Sequence, residues 1–361
     1  MKNIVLYLAR TVMRIIYFFI KLFTRQKDKV TFLSRQSDTT SIDFKLLKEM
    51  FDKETKLQTE VLCKKIPDNF SGRIGYCFYI VKCMYHIATS KACIIDGYNI
   101  PVSSLKHKKG LEIIQIWHAM GAIKKFGYQI LDMEEGDSRK TAEIMKMHAG
   151  YTCIACTSEA TRQIYSQAFN TDIEKIKVLG MPRIDYLLEN KTPSNSEQEK
   201  KTILYVPTFR KNEKIKLDKL INGVDEEKYN LIIKLHPLDK TELDEKYTSA
   251  QSTIELIKRA DYVITDYSAV AFEVAILEKP LFFYLYDIEK YENARGLNID
   301  PQQEMQSSTK TEIEEIISII ENDTYNYEEL KKFREKYVET IDRNNTKRIV
   351  EYVLANICKD D

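Results

Sequence analysis

Asp261-Tyr-Val-Ile-Thr-Asp-Tyr-Ser-Ala-Val-Ala-Phe-Glu-Val-Ala-Ile-Leu-Glu-Lys-Pro280 is the stretch that decides the fold class of this chain. It begins with a short apolar run typical of a buried strand. It continues over 269–277 with apolar residues at helical spacing, which predicts a helix. A strand that turns directly into a helix is typical of a parallel sheet. The helix begins just after Thr265, Asp266 and Ser268, so its unpaired N–H groups form a candidate anion site. An ordinary capped helix would show the same pattern.

Length and composition indicate a folded chain of two domains. The chain has 361 residues, which is more than one ordinary core accommodates. Of these residues, 43% are hydrophobic and 30% are charged. The net charge of +1 gives no general attraction for nucleic acid. Seven cysteines, an odd number, indicate a reduced cytosolic chain rather than a disulfide framework. Cys153 and Cys156 have C-x-x-C spacing but lie in a strand-like run with no second pair, which favours a buried strand over a metal or redox site.

The N-terminal segment, 1–28, is predicted to be a basic amphipathic helix. Residues 4–23 are rich in large apolar side chains, but Arg10, Arg14 and Lys21 interrupt them. Arginine at mid-membrane is costly, which disfavours a membrane span, and the segment lacks the uninterrupted apolar core of a signal peptide. A helix lying in the face of an anionic membrane fits best. The alternative is a helix that packs on the N-terminal domain of the protein itself.

The body of the chain alternates strand and helix signals, which predicts an α/β fold with parallel sheets covered on both faces. Strands are predicted at 30–34, 57–62, 92–96, 111–117, 151–156, 177–179, 202–206, 230–235, 262–264 and 281–285. A polar stretch breaks this rhythm and is interpreted as a linker. The predicted units are a first Rossmann-like domain (29–188), the linker (189–201), a second Rossmann-like domain (202–310) and C-terminal helices (311–361).

Ligands in parallel sheets bind at the carboxyl ends of the strands, and this rule selects the candidate site residues. His118, Arg210 and His236 each follow a predicted strand, as does the turn 265–268. Each alone could be an ordinary loop or surface residue. Together they predict a cleft with cations and donors on one wall and a titratable imidazole on the other, which fits a diphosphate ligand. The sequence contains no Asp-x-Asp metal motif, so we expect neither a metal nor a cofactor.

Several motifs, in one order between about Ile114 and Asp300, resemble those of the CDP-glycerol glycerophosphotransferases, which build bacterial teichoic acids and some capsules. They are Trp117-His118-Ala-Met-Gly121-Ala-Ile-Lys124-Lys125-Phe-Gly127, Gly180-Met-Pro-Arg183-Ile-Asp185, Tyr205-Val-Pro-Thr-Phe-Arg210, Lys234-Leu-His236-Pro237, Thr265-Asp-Tyr-Ser268 with Lys279-Pro280, and Tyr286-Asp287 with Arg295-Gly296. One departure is Ala119, where the family usually has glycine. A Cβ there could alter the turn or the geometry of the acceptor.

The resemblance implies a GT-B-like fold, with two Rossmann-like domains facing a cleft. The N-terminal domain would hold the acceptor, and the C-terminal domain would bind the CDP-alditol. The implied reaction moves glycerol phosphate or ribitol phosphate from CDP-glycerol or CDP-ribitol to a hydroxyl of a lipid-linked teichoic acid or capsule precursor, and it releases CMP. The expected location is the cytoplasmic face of the bacterial cell membrane, as a peripheral protein on its anionic surface.

The resemblance also implies roles for the candidate residues. His118 would be the catalytic base, since an attacking alcohol must lose a proton and a neutral imidazole accepts one near pH 7. His236, if protonated, would stabilise the leaving phosphate. Arg210, Thr265 and Ser268 would contact the donor phosphates, for which fixed cations and N–H donors are suited. Asp266 would lie in the donor pocket, where its charge suits the orientation of neighbours, or a contact with a sugar or base, better than a phosphate contact.

Two alternative functions stay open on the sequence. A GT-B glycosyltransferase would use a nucleotide sugar and release a nucleoside diphosphate rather than CMP. A non-catalytic, membrane-associated assembly factor would keep the fold and would tolerate loss of His118 and His236. The presence of both histidines argues against the second alternative.

Overall fold

The computed structural model describes residues 2–189, 200–210, 214–236 and 238–358. These residues form two parallel sheets with helices on both faces, which confirms the predicted α/β class. We call the part built on the first sheet the N-terminal domain and the part built on the second sheet the C-terminal domain. The domain boundaries stay a prediction, because the predicted linker at 189–201 lies almost wholly outside the described residues.

The N-terminal domain contains a six-stranded sheet in the order β2-β1-β3-β4-β5-β6, with every neighbouring pair parallel. The chain therefore reverses its direction across the sheet between β1 and β3. The strands are β1 Lys29–Ser34, β2 Gln58–Cys63, β3 Ala92–Ile95, β4 Glu112–Gln115, β5 Cys153–Cys156 and β6 Ile176–Val178. The helices are α1 Lys2–Phe23, α2 Ile42–Glu54, α3 Phe70–Ala88, α4 Ile100–Ser104, α5 Arg139–Met145, α6 Glu159–Phe169 and α7 Pro182–Glu189.

The C-terminal domain contains a five-stranded sheet in the order β11-β10-β9-β7-β8, again with parallel pairs. Its reversal lies between β7 and β9. The strands are β7 Lys201–Val206, β8 Tyr229–Ile233, β9 Tyr262–Thr265, β10 Leu281–Tyr284 and β11 Thr309–Lys310. The helices are α8 Asp218–Gly223, α9 Thr253–Arg259, α10 Val270–Ile276, α11 Ile288–Ala294, α12 Pro301–Glu304, α13 Ile313–Glu321, α14 Tyr327–Tyr337 and α15 Asn345–Ile357.

The C-terminal helices connect the two domains. In α14, the ring of Phe333 stacks on Phe272 of α10, with centroids 5.4 Å apart. Helix α15 returns to the first sheet, where Ile349 and Val353 belong to the same buried cluster as Phe32 of β1. The last part of the chain therefore packs on both domains and limits how far they can separate.

Helix α1 lies along the N-terminal domain and is held there by polar contacts on one face. Tyr17 is buried, and its hydroxyl donates to Nδ1 of His107 at 2.9 Å. The Arg10 guanidinium donates to the Ile144 carbonyl, and Nζ of Lys21 donates to the Lys106 carbonyl, both at 2.7 Å. The predicted N-terminal helix is thus present. By length and composition alone, residues 3–23 could also cross a membrane.

Candidate functional site

A cavity of about 300 Å³ opens between the two domains at the carboxyl ends of their strands. It is lined by two charged residues of the N-terminal domain and by loops of the C-terminal domain: Lys124, Glu135, Pro207, Thr208, Phe209, His236, Ser268 and Arg295. His236 and Ser268, two of the candidates from the sequence, therefore lie on its wall. The hydroxyl of Ser268 accepts a weak contact from the Val270 N–H at 3.4 Å, at the start of α10.

His118 lies beside this cavity at the end of β4, and its ring is oriented by the backbone. Trp117 adopts a left-handed conformation, with φ of 59°, and its N–H donates to Oε1 of Gln115 at 2.8 Å. Such a conformation costs about 1–3 kcal/mol for a non-glycine residue and is common at functional sites. Nδ1 of His118 lies 3.0 Å from the carbonyl oxygen of Asp96. Because a carbonyl only accepts, Nδ1 carries the proton and Nε2 has a free lone pair.

The surroundings of His118 favour its neutral form. His118 is exposed to water, but the protein atoms around its ring desolvate the charged form. This desolvation is the largest cause that lowers the pKa of His118 to about 4; the positive charges of Arg183 and Lys124 act in the same direction, and the hydrogen bond to the Asp96 carbonyl opposes them. A neutral imidazole with a free Nε2 is the form that a general base requires.

His236 has the opposite tautomer. Its Nδ1 accepts the N–H of Leu238 at 3.2 Å, so Nε2 carries the proton when the ring is neutral. The ring lies against Phe209, with centroids 5.4 Å apart. Burial and the nearby Lys124 lower the pKa of His236 below its ordinary value. Neutral His236 can therefore donate a hydrogen bond, whereas neutral His118 can accept one.

Arg210 and Asp266 form a buried ionic cluster beneath the cavity. Asp266 is fully buried and accepts from Nη1 of Arg210 at 2.7 Å and from the N–H of Thr208 at 2.8 Å. Arg210 also donates from Nε to Oδ2 of Asp287 at 3.0 Å. Burial opposes the charge of Arg210, but the carboxylates of Asp266 and Asp287 raise the pKa of the guanidinium above its ordinary value. This cluster fixes the loop that forms one wall of the cavity.

Thr265 is also buried beneath the cavity, and its hydroxyl donates to the carbonyl of Val206 at 2.6 Å. The structure thus brings Arg210, Thr265 and Asp266 together, but with their polar groups bonded to protein partners. In this geometry Asp266 contacts Arg210 and Thr208. The place of Asp266 in the donor pocket stays a prediction, as do the contacts from Arg210 and Thr265 to donor phosphates.

Replacing Arg210 by methionine tests the structural role of this cluster. The variant leaves Asp266 and Asp287 without their cation, and breaking a buried pair costs about 3–5 kcal/mol. We expect a clear decrease in the urea midpoint of unfolding, whereas Arg259→Met, at an exposed position, should leave it unchanged. An unchanged midpoint together with a weakened affinity for the donor would show instead that Arg210 binds the donor directly.

Lys124 is a candidate that reasoning from strand ends missed. Among the described residues its ammonium group has neither a carboxylate partner nor a hydrogen bond, although it lines the cavity. Burial and the nearby Arg295 lower the pKa of Lys124 to about 8. An unpaired, partly buried cation in a cavity is a natural partner for a phosphate. The signal in the sequence was the pair Lys124-Lys125, within the motif that contains His118.

The position of Lys124 is fixed by contact between the domains. Lys124 forms an antiparallel bridge with Leu297. On either side, the N–H of Lys125 donates to the carbonyl of Gly296 at 3.0 Å, and the N–H of Asn298 donates to the carbonyl of Ile123 at 2.7 Å. Two motifs far apart in the sequence therefore pair in space and place the Lys124 side chain at the junction of the domains.

Ala119, the departure from the family pattern, is accommodated by the backbone. Among the described residues, Ala119 is not one of the non-glycine residues that have a positive φ. Its carbonyl accepts the hydroxyl of Tyr165 at 3.0 Å. The turn after His118 therefore does not require glycine in this chain, and an effect of Ala119 on the acceptor stays a prediction.

In the described ranges, no three or more His, Cys, Asp or Glu side chains are grouped so that they could hold a metal ion. The expectation that the reaction needs neither metal nor cofactor stays a prediction.

Comparison with known proteins gives a consistent result. Residues 16–355 match the family model described as CDP-Glycerol:Poly(glycerophosphate) glycerophosphotransferase. The chain is 31% identical to the teichoic acid glycerol-phosphate primase of Bacillus subtilis (strain 168) over 292 residues, which is 76% of each protein. It is 27% identical to the teichoic acid ribitol-phosphate primase of Bacillus spizizenii over 354 residues, which is 91% of each.

A polymerase and a solved structure are similar as well. The teichoic acid poly(ribitol-phosphate) polymerase of Bacillus spizizenii is 30% identical over 298 residues, and the match spans 75% of this chain but only 47% of the polymerase. The structure of the wall teichoic acid polymerase TagF superposes with a TM-score of 0.71 at 20% identity, covering 99% of this chain and 98% of that one. At this identity the likeness establishes the fold.

Proposed function

The chain belongs to the CDP-glycerol:poly(glycerophosphate) glycerophosphotransferase family, and from this premise we propose that it transfers an alditol phosphate from a CDP-alditol to a lipid-linked acceptor and releases CMP. The resemblance found in the motifs is thereby confirmed, as is the GT-B-like fold that it implied. The observation that carries the proposal is the pair of complementary histidine tautomers, with Lys124, whose ammonium has no partner among the described residues, near both rings.

The geometry supports an in-line displacement at phosphorus. The acceptor hydroxyl gives its proton to Nε2 of His118, and its oxygen forms a bond with the phosphorus that carries the alditol. The bond from that phosphorus to the bridging oxygen breaks, and CMP leaves with the electron pair. The ammonium of Lys124 and the Nε2–H of His236 stabilise the charge that develops on the phosphates, as fixed donors and cations do in phosphoryl transfer.

The curated relatives include both glycerol-phosphate and ribitol-phosphate enzymes, so both donors are candidates. The acceptor that we propose is a hydroxyl of a lipid-linked teichoic acid or capsule precursor. A nucleotide-sugar glycosyltransferase is disfavoured, because the family match covers residues 16–355 and is to a phosphotransferase. A non-catalytic assembly factor is disfavoured by the oriented histidines, since binding alone needs no free imidazole lone pair.

The decisive experiment is nucleotide release by purified protein with membrane-borne acceptor. CDP-glycerol, CDP-ribitol and a UDP-sugar are offered separately, and CMP and UDP are measured. Acceptor-dependent CMP release from one CDP-alditol supports the proposal and identifies the donor. UDP release would support the glycosyltransferase alternative, and absence of CMP from both CDP-alditols with an authentic acceptor would refute the proposed function.

We further propose that the protein lies on the anionic cytoplasmic face of the membrane through α1 and α3. The face of α1 that does not pack on the domain exposes apolar side chains along its whole length: Ile4, Val5, Leu8, Val12, Ile15, Phe18, Phe19, Leu22 and Phe23. Helix α3 packs beside α1 and exposes Phe70, Ile74 and Phe78, which are four residues apart and so share one face. Arg14, Arg25 and Lys27 are exposed nearby in the chain.

This arrangement fits a helix in the plane of the membrane better than a span. A span would remove α1 from the domain and break the contacts of Arg10, Tyr17 and Lys21. An in-plane helix keeps these contacts and inserts only its outer face. The two interpretations of the N-terminal segment that the sequence left open are therefore compatible, because one face of α1 packs on the protein and the other is free for lipid.

Replacing an exposed aromatic residue on this surface by aspartate tests membrane binding. Burying a phenylalanine contributes about 1.5–3 kcal/mol, so Phe78→Asp should weaken partitioning into anionic vesicles by about tenfold or more. Phe19→Asp should have a similar effect. Tyr327→Asp, at an exposed aromatic residue of α14, is the control and should bind as the unmodified protein does. Equal binding of all variants in vesicle flotation would contradict the proposed surface.

A further inference from the structure

Arg35 is a partly buried cation that the proposed donor site does not use. It follows β1 directly, at the point where the first sheet reverses. Its guanidinium lies over the ring of Tyr98, 5.0 Å from the centroid. Within the part of the chain that the structure describes, it has neither an ion pair nor a hydrogen bond. The other arginines near the cleft differ in this respect: Arg183, Arg210 and Arg295 each pair with at least one carboxylate.

A half-buried guanidinium without a counter-anion is unfavourable in the free protein. The face of an aromatic ring offsets only about 0.5–2 kcal/mol of this cost. A guanidinium has five N–H groups in a planar fork, and a phosphate matches this fork with two charge-assisted hydrogen bonds. The environment of Arg35 is therefore that of a binding residue whose anion comes from a ligand.

The loop that contains Arg35 reaches the reacting centre through its next residue. The side-chain amide nitrogen of Gln36 lies 3.4 Å from Nδ1 of His118. A chain of ring contacts also connects the two sites. Tyr98, beneath the guanidinium, contacts His148 with centroids 5.5 Å apart, and His148 contacts Trp117 at 5.8 Å.

Arg35 and Lys124 lie in different parts of the cleft. Lys124 lines the cavity together with loops of the C-terminal domain. Arg35 lines a narrow crevice formed within the N-terminal domain by α3 and the start of α4: Tyr76, Tyr79, Ile80, Cys83, Asn99, Ile100 and Pro101. Both cations lack an ion-pair partner among the described residues, so they can serve two different anionic groups.

Helix α3 connects the crevice with the proposed membrane surface. One face carries the exposed residues Phe70, Ile74 and Phe78, and the other places Tyr76 and Tyr79 in the crevice. Nζ of Lys64 lies 5.6 Å from the ring centroid of Tyr79 and adds positive charge. Helix α3 thus contributes both to the proposed membrane surface and to the crevice that Arg35 lines.

We propose that Arg35, on its Tyr98 platform, binds a phosphate group of the lipid-linked acceptor and so positions the acceptor hydroxyl at His118. This subsite is separate from the cavity that would hold the donor phosphates. The inference rests on the proposed function for the presence of an acceptor, but its binding step does not depend on turnover.

Steady-state kinetics with the two substrates varied separately test the proposal. A charge-assisted hydrogen bond contributes about 1.5–3 kcal/mol, so Arg35→Gln should raise the KM for the acceptor by about 10- to 100-fold. The KM for the CDP-alditol and the slow hydrolysis of donor without acceptor should not change. Arg35→Lys, which keeps the charge and loses the fork, should be intermediate. Arg259→Gln removes an exposed arginine of α9, outside the proposed membrane surface, and should behave as the unmodified protein.

A binding assay without donor separates this inference from the proposed function. Two preparations of phosphatidylcholine vesicles are compared. One contains a long-chain alkyl diphosphate and the other contains phosphatidylglycerol, in amounts that give the two preparations the same total charge. The unmodified protein should prefer the diphosphate vesicles, and Arg35→Gln should lose that preference while keeping its cooperative thermal unfolding. No preference in the unmodified protein would show attraction to general anionic charge and would overturn the proposal. So would an equal rise in both KM values, or the same defect in Arg259→Gln.

Discussion

Replacing His118 by alanine is expected to lower acceptor-dependent CMP release by about 10²–10⁴-fold, which is the usual contribution of a general base. The Asp96 carbonyl holds the proton on Nδ1, so Nε2 is the atom that receives the proton of the acceptor hydroxyl. Without it, an alcohol that is almost wholly protonated near neutral pH must attack unaided. Affinity for the CDP-alditol should change little, because His118 lies beside the cavity rather than on its wall.

His118→Gln is the matched variant, since glutamine can keep a hydrogen bond to the Asp96 carbonyl but cannot accept a full proton. It should show the same loss, and thermal unfolding should confirm that both variants are folded. His86→Gln, on α3 and away from the cleft, is the control. Turnover by His118→Gln within about threefold of the unmodified protein would exclude the role of base, since the expected loss is at least about 10²-fold.

The pH dependence gives a second test of the same role. The base is active when neutral, and the pKa of His118 is lowered to about 4. The kcat/KM should therefore be constant between about pH 5 and about pH 7 and should fall as the pH decreases towards 4. An ordinary exposed histidine would instead give a fall near pH 6.5. A fall near pH 6.5 that persists in the His118 variants would assign the acid limb to another group.

Most of the fold could be predicted from the sequence because its strands are short apolar runs bounded by turn residues. Strand β9 extends the predicted run by one residue, and α10 begins and ends one residue inside the predicted helix. The region after 311 was less predictable. It was expected to be helical, which α13, α14 and α15 confirm, but its path back to the first sheet depends on contacts such as that between Val353 and the cluster of Phe32. Local periodicity does not encode such long-range packing.

The candidate site could be predicted from the sequence less completely than the fold. The rule of strand ends selected His118, His236 and Ser268, which lie in or beside the cleft. It selected Arg210 equally well, although Asp266, 56 residues away, partners it beneath the cavity. A single sequence cannot distinguish a paired arginine from a free one, because the partner comes from another loop. Lys124 escaped the rule, since its position depends on backbone pairing with Leu297 rather than on a strand of its own sheet.

Replacing Lys124 by methionine is expected to lower kcat/KM for the CDP-alditol by about 10²–10³-fold, which is the usual effect of removing one preorganised group that stabilises developing charge. Methionine keeps most of the length of the lysine side chain. Among the described residues the ammonium has no partner that its removal would leave unpaired, so the free energy of unfolding should not decrease. Lys332→Met, at an exposed position of α14, is the control. If the variant changed only the KM for the acceptor, Lys124 would be assigned to binding of the acceptor rather than of the donor.

The alkaline limb of the pH profile distinguishes a charge effect from a packing effect at this position. Burial lowers the pKa of Lys124 to about 8, and the residue acts as a cation, so kcat/KM should fall as the pH rises through 8. Arginine stays protonated up to about pH 12. Lys124→Arg should therefore have somewhat lower activity, because its head group is larger. Its kcat/KM, however, should no longer fall near pH 8. If the fall persists in Lys124→Arg, another group titrates there, and the anion-binding role of Lys124 is refuted.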